Sequence, residues 1–135
     1  MSPLHHIALG ARDVAGIAEF YRTAFGLSEL KRHFDDDGAL RSIWLDLETS
    51  ILMIERTDRS RPRLDGVDAG PFLLAFSVPP EKRWELEVRL RQLGSTIEDR
   101  SRHSSYARDP EGNRLAISHF PHPPVGGAKE TCDPL

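Results

Sequence analysis

Apolar and polar residues alternate over residues 4–11, with Ile7, Leu9 and Ala11 set against His6, Ala8 and Gly10. A period of two marks a half-buried strand. Asp13 is a residue type that caps helix N-termini. Ile17, Phe20, Tyr21 and Ala24 then recur at helical spacing, so a helix is expected to about Phe25, stopped by Gly26. Three strand patterns follow. "LSELKRHF" ends at the acidic turn "DDDG", "LRSIWLDL" sets Ile43, Leu45 and Leu47 against Ser42, Trp44 and Asp46, and "SILMIER" is more continuously apolar. The first half therefore predicts βαβββ over residues 4–56.

From 57 to 70 the chain turns to Arg, Asp, Pro and Gly, the composition of a linker. "PFLLAFSV" resumes as a strand. "PEKRWELEVRLRQLG" is ambiguous, because Trp84, Leu86, Val88 and Leu90 alternate as in a strand. Pro80 in a first turn, the Glu, Arg, Leu and Gln content and the closing Gly94 favour a helix. Its expected core face is Leu86, Leu90 and Leu93, leaving Trp84 and Val88 for a partner subunit or the linker. "STIEDRSRH" and "SSYARD" are weak strands, "DPEG" is a turn and "NRLAISHF" is the last strand. The second half, 71–119, again predicts βαβββ. Neither unit can bury its own face alone, so the two are expected to pair in one α+β domain over 1–122. A Pro/Gly-rich tail, 123–135, is expected to pack weakly.

The 135 residues carry 18 Lys and Arg against 21 Asp and Glu, a net charge of -3. That balance gives no electrostatic footprint for nucleic acid. The arginine-rich run "RTDRSRPRLD" is interleaved with aspartate and proline and reads as a solvated loop. Cys132 is the only cysteine, which excludes an intrachain disulfide and a thiolate metal cluster. No long apolar run or signal-peptide pattern is present, so a cytoplasmic location without a membrane partner is expected.

The motifs "HIALGARD" and "FYRTAFGL" in the first half, with "LLAFSV", "RLRQLGS" and "YARDPEGNRLAI" in the second, resemble the vicinal oxygen chelate superfamily. Glyoxalases, bleomycin-resistance proteins and extradiol dioxygenases belong to it. The resemblance spans about residues 4–119 and implies two βαβββ units forming a curved mixed-sheet cup. It implies a small-molecule ligand and a homodimer, and admits pairing of the units within one chain or across a swapped dimer. It does not fix the chemistry, since the fold hosts several.

The resemblance also implies a divalent metal, Zn, Fe, Mn or Ni, held in the cup. Its first-strand ligand, seven residues before the capping aspartate, corresponds to His6, and its fourth-strand glutamate to Glu55. The two second-unit ligand positions correspond to Leu73 and Ala116, both hydrocarbon. Two protein donors make a weak site, because catalytic zinc normally keeps three. The expectation is thus no tightly bound metal. His6 and Glu55 remain as candidate ligands, or as a hydrogen-bonded acid/base couple. Alternation turns His5 away from the cup. Trp44 and Met53 are candidate walls, Arg114 a candidate receptor for an anionic group and Tyr106 a candidate hydroxyl donor. Leu73, Ala116 and Ser118 complete the lining. The leading expectation is a binding protein of the bleomycin-resistance type with a degraded metal site. The alternatives are a lyase, isomerase or dioxygenase, either metal-dependent or using Glu55 as base, and a non-catalytic structural or regulatory dimer.

Overall fold

The structure, a computed structural model, describes residues 1–60 and 63–125. Cys132 and the tail beyond 125 lie outside the described residues. The chain divides into two compact units, Met1–Pro62 and Arg63–Leu135. Among the described residues no helix is long and apolar enough to cross a membrane.

The first unit runs β1 (His6–Ala11), α1 (Val14–Phe25), β2 (Glu29–Phe34), β3 (Leu40–Asp46) and β4 (Ile51–Arg56). Its sheet has the order β1-β4-β3-β2, with β1 parallel to β4 and the other pairs antiparallel. The helix starts where expected. Asp13 accepts a hydrogen bond from the Gly16 N–H at 3.0 Å, and a Cβ on Gly16 would stand 2.2 Å from Asp13 Oδ2. It stops at Gly26, whose φ of 67° suits a residue without a Cβ. Val14, Ile17, Ala18, Phe20, Tyr21 and Ala24 are its buried side. Ile43, Leu45, Leu52 and Ile54 are wholly buried on alternate strand positions, forming the sheet face under the helix. Each such side chain contributes about 1.5–3 kcal/mol on leaving water.

The second unit repeats the topology. It holds β5 (Leu74–Ser77), a 3₁₀ turn (Pro80–Lys82), α2 (Arg83–Gln92), β6 (Asp99–Arg100), β7 (Ser104–Arg108) and β8 (Arg114–Ser118). The sheet order is β5-β8-β7-β6, with β5 parallel to β8. Both units are therefore the α+β halves of the glyoxalase-type fold.

One packing expectation fails. The ambiguous segment is a helix and Leu90 is buried as expected, but Arg83 and Glu87 are buried with it in place of Leu86 and Leu93. The spacing i, i+4, i+7 is that of a core face, built here from charge. Arg83 Nε donates to Ser105 Oγ at 2.9 Å. Its two terminal nitrogens donate to the carbonyls of Arg102, Ser101 and Ser104. Nη1 also lies 3.1 Å from His119 Nε2. Glu87 accepts from Ser105 Oγ at 2.5 Å and from Arg100 at 2.8 and 3.1 Å. Burial without these partners would be prohibitive, and with them α2 is clamped over β6 and β7. His119 Nδ1 faces the His122 carbonyl at 2.6 Å, so it must carry the proton, and neutral Nε2 accepts from Arg83. Trp84 is half-buried, with the Arg83 and Arg100 guanidinium carbons 5.1 and 5.9 Å from its ring, while Val88 is exposed.

Candidate functional site

In the first unit α1 covers the sheet face carrying Ile43 and Ile54. Alternation puts Trp44, Met53, Glu55 and Ser42 on the other face. Pairing across the strands orders them into rungs. Gly10, Glu55, Ser42 and His33 form one, and Ala8, Met53, Trp44 and Lys31 the next. Ile51 and Asp46 form a third with His6. The small residues of β1 leave space beside Glu55 and Met53.

This register corrects the expected His6–Glu55 couple. His6 lies opposite Ile51, and Glu55 lies opposite Gly10. Four residues along a strand is ~13 Å, far beyond a hydrogen bond. Both side chains leave the sheet perpendicular to it, so neither a direct bond nor a shared metal fits them. A second expectation also fails. β1 begins at His6, so strand alternation does not govern His5. The two exposed rings meet edge to face at 5.2 Å, with their Nδ1 atoms 2.9 Å apart. One nitrogen donates and the other accepts. Among the described residues, no group of three or more His, Cys, Asp or Glu side chains could hold a metal ion. Leu73, half-buried, and Ala116, buried, bring no donor atoms. The residues present do not fit the metal that the superfamily resemblance implies.

The rung beside Glu55 holds a pair that the sequence did not single out. His33 Nδ1 is 3.1 Å from Ser42 Oγ, and the His33 ring lies 4.6 Å from Trp44. Ser42 is fully buried, while His33, Trp44, Met53 and Glu55 are half-buried. The Trp44 indole N–H is buried and lacks a hydrogen-bond partner among the described residues. β2 carries two register shifts, which hides His33 from a simple alternation pattern.

In the second unit the α2-facing positions are Ser105, Arg100 and Ile117. The opposite face carries the rung Ala75, Ala116, Tyr106 and Asp99. Ser118 pairs with Ser104 on the same face, their hydroxyls 2.9 Å apart. Arg114 flanks the Ala116 rung on the side away from Ser118, 5.1 Å from both the Phe72 and the Tyr106 ring centres. Its carboxylate neighbours, Glu98 and Asp99, stand off at 3.9 and 3.7 Å. Phe72 was legible only as one apolar letter of a strand that the structure starts at Leu74. His103 packs its ring on His119 and Phe120. Burial, together with the positive charges of Arg102 and Arg83, holds its pKa below the ordinary histidine value.

The sequence pattern of the glyoxalase-like domain family matches residues 6–118. No curated protein matches the chain. Among solved structures, the chain is similar to the genomically encoded fosfomycin resistance protein FosX from Listeria monocytogenes, complexed with Mn(II) and sulfate ion. The identity is 21% over 88% of this chain and 93% of that one, with a TM-score of 0.73. Lactoylglutathione lyase from Agrobacterium tumefaciens gives 23% over 89% and 95%, with a TM-score of 0.63. TioX from Micromonospora sp. ML1 gives 18% over 87% and 98%, with a TM-score of 0.64. At these identities the likeness is one of fold. Taken with the repeated β1-β4-β3-β2 topology and the match across nearly the whole described chain, the protein belongs to the glyoxalase-like domain family of the vicinal oxygen chelate superfamily.

Proposed function

We propose that this protein binds a small organic molecule on the sheet faces left open by the helices, without a tightly held metal. The observation that carries this reading is the rung Ala75–Ala116–Tyr106. It sets the exposed Ala75 methyl and a phenol ring around the buried Ala116, where the superfamily's last-strand carboxylate is expected. Ser118 and Arg114 supply polar contacts on that same face of the second unit, and the first unit has its own aromatic and apolar face in Trp44 and Met53. The protein acts as a homodimer, the second copy being the expected partner.

A library of planar organic molecules, read by tryptophan fluorescence and by NMR shifts of the second-unit sheet, tests the reading. Saturable quenching by a subset is expected. Silence across the library would overturn it. Elemental analysis of protein purified without chelator runs alongside. A stoichiometric divalent metal, lost in Glu55→Ala, would replace this reading with a metal-dependent lyase, isomerase or dioxygenase.

A second reading has its own support. Glu55 shares a rung with Ser42, which is bonded to His33. A half-buried carboxylate beside a polar pair is placed to take a proton from a bound substrate. Turnover of a bound ligand that Glu55→Gln abolishes, with binding retained, would establish it. Superfamily relatives such as the Listeria FosX and the Agrobacterium lyase make an enzyme reasonable, with Glu55 acting as base and no metal in the step.

A further inference from the structure

We infer that Arg114 receives a planar carboxylate of the bound molecule, with Phe72 and Tyr106 flanking its conjugated body. This rests on the binding reading above and names the ligand class for that site.

Arg114 is rich in ring contacts and poor in hydrogen bonds. Its guanidinium carbon lies 5.1 Å from each of two aromatic centres. The side chain is 11% exposed, and its Nε is buried with no hydrogen-bond partner among the described residues. The nearby carboxylates do not make up the shortfall. Glu98 is engaged by Arg63 at 2.5 Å and by Arg108 at 3.1 and 3.2 Å, and reaches Arg114 only at 3.9 Å. Asp99 is half exposed and 3.7 Å away. Arg108 differs sharply, since it bonds Glu98 and the Gly112 carbonyl.

A guanidinium beside aromatic rings offers its N–H groups in its own plane. A carboxylate matches that fork with two parallel bonds, and a conjugated body attached to it stacks on the rings. The neighbouring rung ends in Ala75, an exposed small residue against which such a body can lie. Asp99 is the anion that the ligand must displace. If Arg114 serves only to pair with Glu98 and Asp99, removing Asp99 gives the protein no new affinity. If it serves a ligand, removing Asp99 strengthens binding.

The test is an NMR titration of the full chain with benzoate, neutral benzamide and phenylphosphonate. Benzoate should bind about tenfold tighter than benzamide, the worth of one charge-assisted pair. Arg114→Gln should erase that ratio by weakening benzoate far more than benzamide. Arg114→Lys, which keeps the charge without the fork, should retain part of it. Asp99→Asn should tighten benzoate several-fold. Equal binding of benzoate and benzamide overturns the inference and leaves the binding proposal standing. A preference that survives Arg114→Gln overturns the assignment to this residue. Tighter phenylphosphonate overturns the planar carboxylate. No binding of any probe overturns both readings.

Discussion

Replacing Arg83 with methionine should be the most damaging single change in α2. The substitution keeps most of the aliphatic stem but removes every N–H. It strands the carbonyls of Ser101 and Arg102, the Nε2 lone pair of His119 and one side of the Ser105 hydroxyl, and leaves the Ser104 carbonyl only its bond from the Ser101 N–H. Breaking a buried, fully bonded charged group costs about 3–5 kcal/mol. The retained stem packing and the chance for loop carbonyls to reach water favour the lower end, about 3 kcal/mol. For a chain of this size that lowers the melting temperature by about 10–15 °C. Thermal unfolding followed by circular dichroism, with urea denaturation beside it, measures the loss. An unchanged m-value would show that the native state rather than the denatured one was altered. Arg83→Lys should fall between the two, because an ammonium has three donors and no planar fork. A Met variant melting within about 3 °C of the parent would refute the reasoning, since no stranded buried acceptor is that inexpensive.

Glu87 gives an acid-stability prediction. Burial pushes its pKa up, but the bonds from Arg100 and Ser105 and the charges of Arg100 and Arg91 outweigh it, leaving the value below the ordinary 4.5. A depressed carboxylate stabilises the fold above 4.5 and loses that contribution as pH falls through its folded value. Glu87→Gln should therefore be less stable at pH 7 and show a shallower acid limb in pH-dependent urea titrations. His103 resists protonation in the folded state, so stability should decline as pH drops below its ordinary 6.5. His103→Gln should flatten that part of the profile. Asp13→Ala removes the α1 cap and should cost about 1 kcal/mol in the same denaturation assay. Gly16→Ala should give almost none of the usual helix gain of ~1 kcal/mol, because the new methyl displaces the capping carboxylate.

Much of this architecture follows from short-range signals. Asp13, Gly26 and the alternation of Ile43 with Trp44 fix the first unit, and the same reasoning recovers the strands of the second. What fails to show in the chain is pairing between distant residues. Arg83 and Glu87 read as solvent-facing on a hydrophobicity pattern, because Ser105, Arg100 and the 101–104 carbonyls that satisfy them lie far along the sequence. The His6–Glu55 couple fails for a related reason. Spacing along each strand says which face a residue takes, but the offset between β1 and β4 is set by their mutual hydrogen bonds. His33 is obscured by the register shifts of β2, and Phe72 by a strand start that moved past it.

The two units share a strand order but are stabilised by different means. The first is held by interchangeable hydrocarbon, with Ile17, Tyr21, Ile43 and Leu52 meeting under α1. The second buries Leu90, Leu115 and Ile117 as well, but the hold of α2 depends on directional bonds around Arg83 and Glu87. Volume-conserving swaps in the first leave every contact roughly as good as before, whereas almost any replacement of Arg83 or Glu87 leaves a buried atom unmatched. Sequence drift should consequently be asymmetric. In a saturation library selected only for folding, α1 should return many apolar solutions and α2 very few, so the half that looks more polar is the one with less freedom to change.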